Sequence, residues 1–198
     1  MSNVSRLMNH QSALDHFIPN SLCAIETLNL ALRLRGAWEA AQPMKLLIND
    51  KLTVEGNTNA FTNPAIEAGV IHCRAMLEFL GLAMSKAGAL VQLAKPRRTD
   101  DIGVENFSNE NGPLSMVTPE QAVARYLGGA AEAEQALVSV FRIANKGLAH
   151  LTTAFVSTPD DARLLEIASR GVSSLVVSHL YTPLGLPAPV SQVVGRAA

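Results

Sequence analysis

Charge is scarce in this chain. Asp, Glu, Lys and Arg make up 17% of its 198 residues, against about 25% in a typical globular domain. The apolar surface that this leaves goes into a large core or an oligomer interface. The charges also nearly cancel, 16 basic against 17 acidic, so no whole-protein field draws the chain to nucleic acid or to an anionic membrane. Cysteine is scarce too. Cys23 and Cys73 form no CxxC pair and have no nearby histidine pair, which argues against a zinc or redox motif and for two buried, reduced thiols. The residues from Met1 to Gln11 are polar and lack the apolar stretch of a signal peptide. Phosphate-binding, dinucleotide-binding, GxSxG and HExxH patterns are all missing. The five histidines, at 10, 16, 72, 150 and 179, do not have metal-ligand spacing. No cofactor and no metal are therefore expected.

Residues 171–195 carry no formally charged side chain, yet Pro183, Pro187 and Pro189 break the run. A membrane span needs about 20 mostly apolar residues. The stretch reads as a buried helix followed by an irregular tail, in a cytoplasmic protein with no membrane partner.

What the sequence has in quantity is helix signals. Asn63-Pro64, Thr118-Pro119 and Thr158-Pro159 each put a capping side chain before a proline. Gln121, three residues after Thr118, completes a capping box, and Asp161 after Thr158 resembles one. Helices are expected at about 5–17, 21–42, 64–95, 119–155 and 159–181. Residues 44–52 read as another turn or two, 53–63 as a loop, and 96–118 as a long connection. The helix from Pro64 has the strongest pattern. Ile66, Val70, Cys73, Leu77, Leu80, Met84, Ala87, Val91 and Ala94 recur in steps of four and three, a heptad seam. Gly81 and Gly88 would let a neighbouring backbone approach. In the 119–155 helix the Gly128-Gly129 pair marks a kink. The fold class expected is all-α: an up-and-down helical bundle of about five helices around the apolar helix at 64–95. It forms one domain over 1–198, with 1–20 as an appendage and 186–198 as an irregular tail.

Three polar groups are candidates for chemistry. Arg74 and Glu78 lie one turn apart on the apolar helix and read either as a salt bridge within the bundle or as an anion-holding arginine oriented by its glutamate. Arg142, Lys146 and His150 follow at i, i+4 with Asn145 beside them. They read either as a solvated helix face or as a phosphate-holding face with a proton-transferring histidine. Arg97, Arg98, Asp100 and Asp101 read either as a polar loop or as a carboxylate pair for a cation, and one aspartate would cap a short helix near Ile102.

Arg74-Ala-Met-Leu-Glu-Phe-Leu80, Asp100-Asp101-Ile-Gly-Val-Glu-Asn-Phe107 and Asn145-Lys146-Gly-Leu-Ala-His150-Leu-Thr152 occur in that order. Over residues 64–155 this arrangement resembles uncharacterised bacterial helical proteins and is similar to the HEPN superfamily. Members of that superfamily are helical bundles. Many are dimeric ribonucleases of toxin and defence systems, and others are non-catalytic. The resemblance implies a homodimer that binds or cleaves RNA. His150 would be the acid/base, with Lys146 and Arg142 on phosphate and Arg74, Glu78, Asp100, Asp101 and Asn145 in support. The alternative is a non-enzymatic helical interaction or oligomerisation module in which the Lys146/His150 element is structural. A small-ligand pocket within the bundle is a third reading.

Overall fold

A computed structural model describes residues 10–94, 97–98, 100–148 and 160–193, without the side chains of 146–148. The first helical run passes through a π-helical turn, Ala13–Phe17, into α1, Ile18–Gly36. Pro19 stands well inside this continuous helical run, where it has no amide to donate, and the run is π-helical just before it. Leu22, Ile25 and Leu28 are buried and Leu32 packs against them, as their spacing predicts.

β1, Pro43–Ile48, and β2, Lys51–Asn57, form an antiparallel hairpin where a helical turn and a loop were expected. Asn49 and Asp50 both adopt positive φ (50° and 60°). A two-residue hairpin turn of this kind favours Asn and Asp, which tolerate the left-handed region. The base is tied by Thr58 N–H donating to the Gln42 carbonyl at 2.8 Å.

α2 runs from Thr58 to Phe79. Its cap is Asn57, whose side chain accepts from the Ala60 amide, so the start expected at Asn63-Pro64 lies six residues too late. Pro64 stands inside the helix, where it leaves the Ala60 carbonyl without its helical donor. The helix also stops at Phe79, not near 95. Gly81, at φ 91°, reverses the chain, and β3 (Leu82–Met84) pairs with β4 (Leu90–Gln92). The heptad seam is real as far as Leu80: Val70, Cys73, Leu77 and Leu80 are fully buried. Beyond it, Leu82 and Leu90 are buried from short strands instead. Gly88, at φ 83°, serves the β3–β4 turn, while at Gly81 the connection before α3 does approach closely, an added Cβ standing 2.6 Å from Met116 Cβ; neither glycine admits a neighbouring helix. Gly69 does that. A Cβ there would stand 2.3 Å from Leu28 Cβ of α1.

The long connection holds a 3₁₀ turn at Val104–Asn106 and a minimal pairing of β5 (Ser108–Asn109) with β6 (Gly112–Pro113). The turn is closed by Gly103 N–H donating to Asn106 Oδ1; neither aspartate caps it. α3, Pro119–Val123, starts on the expected capping box, with Thr118 and Gln121 bonded reciprocally. It lasts five residues. The Gly128-Gly129 pair ends the segment rather than kinking a long helix, because Gly129 at φ 113° lies outside helical space. α4 covers Ala130–Arg142 and continues as a π-helix over Ile143–Leu148. α5, Asp161–Val176, runs into a π-helical turn, Val177–Tyr181. The expected start at Thr158-Pro159 lies outside the described residues.

The all-α expectation is therefore corrected. Helices dominate, but three short antiparallel strand pairs interrupt them. α1 packs along α2, α5 touches α1, α2 and α4, and one core cluster runs from Ala13 to Tyr181. Cys73 is buried and its thiol pKa is pushed far up by burial. Cys23 is only partly buried, and both thiols are free. No described helix is long and apolar enough to cross a membrane.

Candidate functional site

Those residues singled out from sequence that the structure describes fall in two separate places. Arg74 donates to Glu78 at 3.0 Å, and both are partly exposed. This is an i, i+4 pair worth a few tenths of a kcal/mol. Glu78, Asp100 and Asp101 line one cavity of about 390 Å³, together with Phe17, Met76 and Arg97. The arginine of this cavity is already committed. Arg97 pairs with Glu105 at 2.7 Å and donates to the Phe79 carbonyl at 2.9 Å, which satisfies an open acceptor at the end of α2. Although three carboxylates line the cavity, no group of His, Cys, Asp or Glu among the described residues is arranged to hold a metal ion.

Arg142 lies elsewhere, in a depression with Gln135, Val138, Ser139 and Asp160. Its guanidinium reaches from α4 to Asp161 at the start of α5. Asp161 is 6% exposed, and a carboxylate buried that deeply needs a cationic or hydrogen-bonding partner. Asp161 also sits in the first turn of α5, where the helix dipole favours negative charge. Asn145 is half-buried in the π-helical segment. The Lys146 side chain and all of His150 lie outside the described residues.

A cleft between α4, α5 and the segment after α3 is lined by none of the candidate residues read from sequence. It has a volume of about 180 Å³. Ala133, Ala136, Leu137, Ala168 and Leu175 give it an apolar floor, and Arg125, Tyr126 and Arg170 stand at its rim. Its wall is ordered by a polar chain. Tyr126 Oη donates to Glu132 at 2.7 Å, and Arg163 also bonds Glu132. The carboxylate raises the Tyr126 pKa, and the Tyr126 and Arg163 donors lower that of Glu132. Gly128 makes room for this wall, since a Cβ there would stand 2.6 Å from both Tyr126 and Glu132. Arg170 is paired with Glu166 at 3.1 Å. Arg125 bonds only a neutral group, the Ser178 hydroxyl at 2.8 Å, and no carboxylate among the described residues pairs with it. The sequence signal for this site was faint: small residues at helical spacing on two helices, with arginines at their edges.

The β1–β2 hairpin is the other feature that the sequence concealed. Leu46, Leu47, Ile48, Leu52 and Val54 are each 47% to 55% exposed. The register puts Leu46 opposite Val54, with Met44 and Ile48 on the same face, and Leu47 opposite Leu52 on the other face. Trp38 and Phe61 are exposed near the base. Comparison of the chain with protein-family models, curated proteins and solved structures finds no match.

Proposed function

We propose that this protein is a helical interaction and oligomerisation module, and that its β1–β2 hairpin docks on the same hairpin of a second copy. The observation that carries this is the exposure of five large aliphatic side chains on a single two-stranded element. Patches of ~300–600 Å² at a protein surface commonly mark interaction sites. A hairpin with both faces in water is marginal by itself, whereas three or more strands with a buried face are stable. Two hairpins packed face to face through Leu46, Ile48 and Val54 would bury one aliphatic face on each copy. The charges suit self-docking. Lys45 pairs with Glu55 at 3.6 Å, and Asp50 and Lys51 adjoin at the tip. The element is net neutral, so a two-fold contact brings no excess of like charge together.

This reading takes the Lys146/His150 element as structural. The Arg142–Asp161 pair supports that, because it engages one of the three cationic or proton-transferring groups inside the fold. The RNA reading remains the competing outcome of the test.

The measurement is sedimentation of the full chain across micromolar concentrations, with circular dichroism as the control for folding. The native chain is expected to be a dimer. Leu46→Asp and Val54→Asp, each placing a charge at the centre of the contact, should raise the dissociation constant by at least about tenfold at unchanged helicity. A monomeric native chain, or a dimer indifferent to both substitutions, would overturn the proposal. RNA cleavage that is lost in His150→Ala while the dimer persists would favour the ribonuclease reading instead.

A further inference from the structure

We infer that the cleft between α4 and α5 is a binding site for a small apolar carboxylate, with a body about the size of one aromatic ring and its anionic group on Arg125. Three observations carry this, and none depends on the hairpin. The first is size and lining. A cavity of about 180 Å³ floored by Ala133, Ala136, Leu137, Ala168 and Leu175 suits one ring, since a dry apolar cavity of ~150 Å³ accepts benzene. The second is charge. Arg125 stands at the mouth with the Ser178 hydroxyl as its only bonded partner among the described residues, while Arg163 is engaged by Glu132 and Arg170 by Glu166. The guanidinium left for an incoming anion is that of Arg125, whose planar fork suits a carboxylate. His179 does not compete for the anion as a cation, because burial and then Arg125 hold its pKa down. The third is construction. The Tyr126–Glu132–Arg163 chain fixes one wall, and Gly128 leaves room for its Tyr126 and Glu132 side chains. A preformed apolar cleft with a few placed polar groups is the usual form of a small-molecule site.

Leu127 supplies a rival occupant. It is fully exposed in the segment next to Tyr126, and its own side chain would fit an apolar cleft. Gly171 supplies the control. It lines the cleft, and a Cβ there meets nothing within 4 Å. A side chain at 171 would therefore start into the cleft without its Cβ striking protein atoms, Gly171→Leu would carry bulk into that space, and it replaces glycine by a better helix former.

The experiment is calorimetric or NMR titration of the full chain with benzoate, phenylacetate and hexanoate, alongside benzamide and benzyl alcohol as uncharged counterparts. At least one carboxylate should saturate the native protein at millimolar concentration or below. Its uncharged counterpart should bind about tenfold more weakly or worse, as loss of a charge-assisted hydrogen bond requires. Arg125→Gln should weaken the carboxylate by a similar factor, and Gly171→Leu should abolish binding while the protein stays folded. The inference is overturned if none of the three acids saturates either the native chain or a Leu127→Ser variant. It is equally overturned if the uncharged compounds bind as well as the acids, or if binding survives both substitutions. Saturation that appears only in Leu127→Ser would assign the cleft to Leu127 and overturn the inference for the native chain.

Discussion

At the scale of single residues, two glycines show how the same substitution takes opposite signs. Gly69 lies where α2 crosses α1. An added methyl group would stand 2.3 Å from Leu28 Cβ and 3.0 Å from the Ala24 carbonyl oxygen. Leu28 is fully buried, so its side chain has nowhere to retreat and the helices must part. Overpacking of this kind costs about 1–3 kcal/mol, more than the ~1 kcal/mol that alanine gains over glycine in a helix. Gly171 on α5 faces open space, and there only the propensity gain applies. Gly69→Ala is expected to lower the unfolding free energy by about 1–2 kcal/mol, and Gly171→Ala to raise it by about 0.5–1 kcal/mol. Urea unfolding of the two variants checks both. Equal effects would mean that the α1–α2 crossing yields more easily than its geometry implies.

At the scale of elements, Arg97 helps tie the connection from β4 to α3 to the end of α2, beside the Phe79–Phe107 ring contact and the Val117 N–H bond to the Leu80 carbonyl. Arg97 is 13% exposed, bonds Glu105 and the Phe79 carbonyl, and lies against Gly103. Arg97→Ala would leave a partly buried carboxylate and a helix-terminal carbonyl without their donor. A loss of about 1–3 kcal/mol is expected. Amide exchange should quicken first at Asn106 and Phe107, whose N–H groups close the 3₁₀ turn. Stability and exchange both unchanged would show that the turn holds without Arg97.

The same elements show what the sequence could and could not reveal. The buried face of α1, the seam of α2 up to Leu80 and the capping box at Thr118 rest on local spacing, and each stands in the structure. The breaks were misplaced because apolar alternation in short strands mimics a heptad. Met84 and Val91 continue the period of α2 although Gly81 has already turned the chain. The hairpin escaped notice because Asn-Asp is a weaker turn signal than Asn-Gly. The site was less legible still. Glu78, Asp100 and Asp101 do share a cavity, but the partner of Arg142 lies nineteen residues away at Asp161, and no local period connects them. Arg125 drew no attention because its meaning depends on a cleft built by two other helices.

At the scale of the whole molecule, two histidines tie stability to pH. His72 on α2 is half-buried with Nδ1 3.1 Å from Ser21 Oγ of α1, and burial lowers its pKa. His179, in the π-helical turn after α5, is lowered by burial and then by Arg125. In the unfolded chain both titrate near about 6.5. The folded protein therefore resists protons that the unfolded chain accepts. Above the unfolded value both states hold neutral imidazoles and the contribution to stability is complete. As pH falls from there through the depressed folded values, the unfolded chain takes up protons first and that contribution is lost. The direction is set by the sign of the shifts: a raised histidine pKa would have made the protein more stable in mild acid. Glu120 and Glu132 do not mimic this effect, because their pKa values are lowered from 4.5 and they titrate at lower pH. The urea midpoint should be flat above about pH 7 and should decline between about pH 6.5 and 5. His72→Gln and His179→Gln should each flatten that decline, and the double variant should flatten it most. Gln at position 72 can still meet the Ser21 hydroxyl, so a loss of hydrogen bonding would not be mistaken for a change in slope. A native chain that gains stability across that interval, or variants with the native slope, would show that neither imidazole is held neutral by the fold.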